Sequence, residues 1–212
     1  MFPIVLSDHG VRMLRAGNLT SIARIVKPQP RQCADGTWAW FGGRRLLRTD
    51  VRADYSMGSW SIVAAAMREV CAYGDVGDRL WLREAHACTE DGFVLYRADY
   101  LGDSDGIAWR SATKMGMDLS RIRLEITRVA VELLWDATDR QILAEGVERM
   151  DGPGGVRFGI PGEICERTAG DAYRAIWGER YASVNPAVWR VDFRVASETA
   201  PACAIEPLLE VA

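Results

Sequence analysis

The sequence predicts an α+β domain, built as a curled mixed sheet or small β-barrel flanked by short helices, with an inserted hairpin region. Three observations lead there. The run Arg121 to Val129 alternates with period two, placing Ile122, Leu124 and Ile126 on one face and arginine and glutamate on the other, as in a strand with one wet side. Strand-like runs alternate with short helical ones along the whole chain, without repeats or low-complexity tracts. The 212 residues are 49% hydrophobic, enough to bury a core, and read as a single domain spanning 1 to 212.

In chain order, residues 2 to 6 form a short strand, and Ser7-Asp8 caps a helix through Val11, Met13 and Leu14 that stops at Gly17. Residues 37 to 41 and 44 to 48, on either side of Gly42-Gly43, read as a hairpin within the inserted region. Ser59 to Val70 has helical spacing, and a turn at Tyr73 to Asp78 feeds a strand from Arg79 to Ala85. Another strand follows at Phe93 to Arg97, before the alternating one at Arg121. Asp136 to Gly146 reads as a helix with an acidic start and a glycine end, Gly152 to Gly155 as a hinge between two helices, Ala169 to Tyr181 as a helix and Val188 to Val195 as a closing strand.

Composition narrows the function classes. A net charge of -3 excludes a uniformly basic surface, so nucleic-acid contact requires a local patch. Nearly all positive charge is arginine, with Lys27 and Lys114 the only lysines; the planar guanidinium fork suits phosphates and base edges, and a GC-rich genome gives the same bias. The start of the chain reaches Asp8 too soon for a signal peptide, and no apolar run reaches the roughly 18 residues of a membrane span. A cytoplasmic protein without a membrane partner is expected. Five scattered cysteines without a CxxC pair, and two histidines far apart, indicate neither a metal site nor a disulfide frame, and no cofactor fingerprint is present.

Five stretches in order carry a resemblance: Gly17 to Arg24 (GNLTSIAR), Val76 to Glu84 (VGDRLWLRE), Arg121 to Thr127, Ala144-Glu145-Gly146, and Asn185-Pro186 before the final strand. Together they resemble the ASCH domain, a PUA-like β-barrel, and most closely its phage and prophage members, over most of the chain outside an atypical insertion at about 33 to 65. The resemblance implies binding of nucleic acid or a modified nucleoside in a cleft beside the barrel, in a bacterial host cell. Some small bacterial members are amidohydrolases that deacetylate acetylcytidine, using a lysine, a threonine and a glutamate. The matching positions here are Leu19, Ile22 and Glu145, with Gly17 and Arg24 retained. Two of three catalytic groups are therefore replaced by side chains that supply no nucleophile, proton carrier or oxyanion stabiliser.

Three readings stay open. In the first, the cleft binds RNA, single-stranded nucleic acid or a nucleotide without hydrolysis: Arg24, Arg83 and Lys114 toward phosphate, Glu145 accepting from a base amino group, Trp81 or Trp109 stacking. Each residue has a plain structural alternative, such as a Glu145 paired with Arg149, an Arg24 bound to an acid on a strand, or tryptophans that are simply core. Alternation sets Arg79, Trp81 and Arg83 on one face, which would make the stacking platform. In the second reading the protein is an amidohydrolase using Glu145 with Thr20 or Ser21 as hydroxyl helper. In the third it is a phage-derived module that binds a host or phage protein through Trp38, Trp40 and Phe41.

Overall fold

A computed structural model describes residues 1–40, 56–100, 106–181 and 183–199. It is a mixed α+β structure whose main element is a strongly curled, half-barrel sheet of five strands. Strand β1 (Phe2–Val5) leads into α1 (Asp8–Arg15), where Ser7 caps the helix by accepting from the Gly10 amide. Next come β2 (Ser21–Ile25), the two-residue β3 (Arg31–Gln32), β4 (Trp38–Trp40), β5 (Ser56–Gly58) and α2 (Trp60–Arg68). The chain continues through β6 (Arg79–Arg83), β7 (His86–Cys88), β8 (Val94–Tyr96) and the long β9 (Ile122–Leu133). Helix α3 (Asp139–Ala144), strands β10 (Glu148–Gly152), β11 (Gly155–Ile160) and β12 (Ile164–Glu166), helix α4 (Ala169–Trp177) and β13 (Ala187–Glu198) complete it.

The main sheet runs β1-β6-β9-β13-β2, parallel only between β1 and β6. Its spine is the antiparallel pairing of β9 with β13, and two register shifts there, at Asp192/Phe193 and Val195/Ser197, deepen the twist. The first shift also swaps the phase of β9. Ile126 pairs with Phe193 and Arg128 with Asp192, so Thr127 is the extra residue. Before it Ile122, Leu124 and Ile126 are buried in the hollow of the sheet, as the alternation predicts. After it Val129 and Val131 take over that face, and Arg128, Ala130 and Glu132 turn to the convex side.

The hollow holds the main core: Phe2 and Ile4 from β1, Val11 and Leu14 from α1, Leu80 and Leu82 from β6, and Trp189, Val191 and Phe193 from β13. Val63 and Met67 of α2 are fully buried in it, so α2 contributes to the core. The convex side is covered by α3, α4 and the β10-β11-β12 sheet, which enclose a second cluster around Leu134, Ile142, Ala172, Tyr173 and Val188.

Several boundaries depart from the sequence reading for local reasons. Helix α3 begins at Asp139 because Thr138 makes a capping box with Gln141. Helix α4 ends at Trp177, where Gly178 takes a positive φ of 72°. Gly152 to Gly155 is no hinge between helices: it is a two-residue hairpin turn joining β10 to β11, and the whole three-stranded sheet it belongs to escapes the sequence reading. In the inserted region β4 pairs with β3 and β5, and the predicted turn and second strand at 42 to 48 lie outside the described residues.

One buried ion cluster ties the N-terminal half together. Arg121, 4% exposed, donates Nε and Nη2 to the two oxygens of Glu84 at 2.9 and 2.8 Å and also binds Asp99. Its guanidinium carbon lies 4.0 Å from the centroid of the Tyr96 ring. Removing one partner of such a pair leaves a buried uncompensated charge. Arg121→Ala is therefore expected to lower unfolding stability by about 3–5 kcal/mol in chemical denaturation. A loss below about 1 kcal/mol would show that Glu84 reaches water.

Candidate functional site

A cavity among the described residues straddles the edge strand β2. It encloses about 220 Å³ and is lined from the α1 side by Leu6, Ser7 and His9, from β2 by Ile22, Ala23 and Arg24, and from the far side by Glu145, Tyr173, Ile176 and Trp177. Leu19 and Gly146 form part of the wall between them. The volume is below the roughly 300–1,000 Å³ of ordinary small-molecule clefts and holds roughly seven waters at about 30 Å³ each. A single flat ring fits that scale better than an extended ligand.

Of the five signature positions, Leu19, Ile22, Arg24 and Glu145 line this cavity and Gly17 does not. Leu19 and Glu145 are joined by an antiparallel bridge, and the Thr20 amide donates to the Ala144 carbonyl at 2.9 Å, which brings the loop after α1 against the end of α3. Gly146 closes the approach with φ at 91°, and a Cβ built there would stand 3.2 Å from Leu19 Cδ1. Thr20 is exposed, and the buried Ser21 hydroxyl donates to Asp192 at 2.6 Å on the convex face. Neither hydroxyl lines the cavity.

Arg24 closes the open seam of the half-barrel. β1 and β2 are the two edges of the main sheet, and Arg24 Nη2 donates to the Val5 carbonyl on β1 at 2.9 Å while Nη1 donates to its neighbour Ala23 at 2.9 Å. It binds backbone carbonyls and has no acidic partner among the described residues.

Glu145 sits at the C-cap of α3 with its side chain 9% exposed. Its partner is Arg190, not Arg149, which pairs with Asp151. Arg190 is fully buried on β13, directly opposite Ala23 on β2 and Ala130 on β9. Those two small residues leave room for the guanidinium. Nη1 donates to Glu145 Oε1, Nε donates to Glu132 Oε2 at 2.7 Å, and Nη2 has no partner among the described residues.

Glu132 is held in turn by Arg128 at 2.6 Å and by the Gln141 side chain at 2.8 Å. Burial alone would raise its carboxyl pKa, but the hydrogen bond from Arg128 and the charge of Arg190 outweigh that and hold it below the ordinary value. The Tyr173 hydroxyl lies 3.1 and 3.0 Å from the two Glu145 oxygens. Burial pushes the Tyr173 phenol above its usual range, so it stays a hydrogen-bond donor at neutral pH. On the opposite wall His9 Nε2 contacts the Gly146 carbonyl at 3.0 Å.

The other residues proposed from sequence lie elsewhere. Trp81 is 6% exposed, packed with Tyr96 and Met115 in a third cluster, and the Arg83 guanidinium lies 4.6 Å from its ring centroid. The Arg79-Trp81-Arg83 stripe is therefore no open stacking platform, because Trp81 itself is covered by Tyr96 and Met115. Trp109 packs edge-on against Tyr100, and its indole nitrogen is buried without a partner among the described residues. Lys114 is exposed on a 3-10 turn at Ala112–Lys114. None of the four lines the cavity. The aromatic wall belongs to Tyr173 and Trp177, within an edge-to-face row Trp135-Tyr173-Trp177-Tyr181 with centroids 5.9 to 6.2 Å apart.

No protein-family model, curated protein or solved structure matches the chain. No helix among the described residues is long and apolar enough to cross a membrane.

Two outcomes follow from this geometry. Gly146→Ala forces a side chain into left-handed backbone and against Leu19, and is expected to cost about 1–2 kcal/mol in thermal or urea unfolding. Glu132, whose pKa is lower in the folded than in the unfolded chain, stabilises the fold above its ordinary value of 4.5, and that contribution is lost as pH falls through the folded value. Stability of the wild-type protein should thus fall more steeply below about pH 4.5 than that of Glu132→Gln; parallel acid limbs in pH-dependent denaturation would contradict the assignment.

Proposed function

We propose that this chain is a PUA-like protein of ASCH type that binds a nucleobase, as a nucleoside or at an unpaired position of RNA or other single-stranded nucleic acid, and does not hydrolyse it. The observation that carries the reading is the convergence of Leu19, Ile22, Arg24 and Glu145, which the resemblance assigns to a ligand cleft, on one cavity of single-ring size. Trp177 and Tyr173 supply the aromatic wall that base recognition uses. Glu145 supplies an acceptor for a base N–H, and Arg24, in the same lining, supplies positive charge for a phosphate.

The same cavity argues against hydrolysis. Amide cleavage requires an attacking group, a proton carrier and a stabiliser for the oxyanion. Leu19 and Ile22 offer none, Thr20 and Ser21 are not in the lining, and Glu145 is engaged by Arg190 and Tyr173. Among the described residues the aromatic side chains named for protein binding are not free: Trp40 is buried and Trp38 packs against Trp60 with centroids 4.9 Å apart, while Phe41 lies outside the described residues.

Purified protein incubated with acetylcytidine, the common nucleosides and short single-stranded RNAs, then analysed by mass spectrometry, should retain a ligand and release no deacetylated product. Trp177→Ala should weaken retention by about tenfold, the scale of one lost base–aromatic stack. Turnover of acetylcytidine would overturn the binding-only reading. Retention unchanged in Trp177→Ala, or no retention at all, would remove the cleft from consideration.

A further inference from the structure

Two buried arginines in this protein are used in different ways. Arg121 meets Glu84 with two parallel hydrogen bonds from one edge of its guanidinium, the arrangement that best offsets the burial of both charges. Arg190 gives one nitrogen to Glu132, another to Glu145, and leaves Nη2 without a partner among the described residues. It meets Glu132 through Nε alone, while Arg128 binds the other Glu132 oxygen. The result is a bridge between two carboxylates, of which one faces the convex surface and the other the cavity.

We propose that Glu132 and Arg190 are positioning residues that orient the Glu145 carboxylate, making the cavity selective for bases that present an amino group over bases of the same shape that present a carbonyl oxygen. The proposal rests on the nucleobase reading above. Its chemistry is that of the unshared lone pairs. Glu145 Oε1 accepts from Arg190 and lies within reach of the Tyr173 hydroxyl. Among the described residues Oε2 has only that same hydroxyl, which carries a single hydrogen for both oxygens. An ionised carboxylate offers acceptors alone, so the atom with spare capacity calls for an N–H donor and repels a carbonyl oxygen.

Glu132 controls that orientation from two directions. It fixes Arg190 through Oε2, and through the same oxygen it accepts from Gln141, whose own amide oxygen accepts from the Thr138 amide and hydroxyl at the start of α3. Helix α3 is thus pinned to β9 at its first turn and, through Glu145 and Arg190, to β13 at its C-cap. Ser7, His9 and Arg24 complete the polar lining, and each already has a local bond: Ser7 Oγ to the Gly10 amide, His9 to the Gly146 carbonyl, and Arg24 to Val5 and Ala23.

The test is to titrate the wild-type protein, Glu145→Gln and Glu132→Gln by calorimetry with two matched pairs, cytidine against uridine and adenosine against inosine. Thermal melts first establish that each variant is folded at the working temperature. Glu132 carries the test because its side chain is partly exposed, whereas an Arg190 variant would remove a wholly buried group. Wild type is expected to prefer the amino-bearing member of each pair by roughly 10- to 100-fold, the worth of one hydrogen bond to a charged group. Glu145→Gln should bring each ratio to within about twofold, since an amide both donates and accepts. Glu132→Gln should reduce the ratio at least about fivefold through weaker amino-base binding, leaving the carbonyl-base Kd unchanged, an effect that a purely structural role would not produce.

Nucleosides that bind wild type without preference would overturn the selectivity while leaving the nucleobase reading intact. A ratio unchanged in Glu132→Gln but lost in Glu145→Gln would overturn the positioning role. Binding of none of the four would overturn the nucleobase reading, and the selectivity with it.

Discussion

A single buried cation organises the convex half of this protein. Arg190 lies in the middle of β13, in a run whose neighbours Val188, Trp189 and Val191 are all buried, and a guanidinium there must find negative charge without leaving the protein. It finds Glu132 on β9 and Glu145 at the end of α3. Satisfying it requires small residues on both flanking strands, which Ala23 and Ala130 provide, and a helix end close enough to present a carboxylate. A carboxylate at a helix C-terminus is otherwise disfavoured by the helix dipole, by about 0.3–1 kcal/mol. The Arg190 charge offsets that and makes the position tenable. The place of α3, the direction of Glu145 and the inner wall of the cavity thus follow from one residue on a central strand.

The second constraint is that the main sheet does not close. Its edges, β1 and β2, would present unpaired backbone groups along a seam, and exposed edges of that kind invite unwanted pairing. Near the cavity Arg24 spans the seam from side chain to backbone instead of from strand to strand. A side-chain link leaves a gap where a ladder would have left none, and the cavity occupies that gap. The barrel's incompleteness and its pocket are one feature.

The sequence reading located half of the site. The loop after α1 and the Ala144-Glu145-Gly146 stretch were both marked, and the fold brings them together through the Leu19–Glu145 bridge. The Arg79-Trp81-Arg83 alternation imitates a stacking surface and so points to Trp81 as the aromatic wall. Alternation reports which residues share a face, not whether another layer covers it, and Tyr96 and Met115 cover Trp81. Tyr173 and Trp177 were hidden in an ordinary amphipathic helix, whose spacing says only that one side is buried. Arg190 did leave a signal: one arginine inside the apolar run from Ala187 to Phe193 is what a buried charge looks like in sequence.

By itself, the sequence determined the local structure wherever a short-range rule applies: the Ser7 cap of α1, the alternation that buries Ile122, Leu124 and Ile126, and a closing strand at Val188 to Val195. It also determined the chemical inventory, including the apolar side chains of Leu19 and Ile22. Only the tertiary structure decided the phase of β9 after Thr127, because a bulge is set by the pairing of two strands and not by either one alone. That change of phase turns Arg128 and Glu132 to the convex face, where Arg190 meets Glu132, and so decides which carboxylate reaches the cavity. Long-range register is a property of two distant segments in contact, and period within one segment cannot specify it.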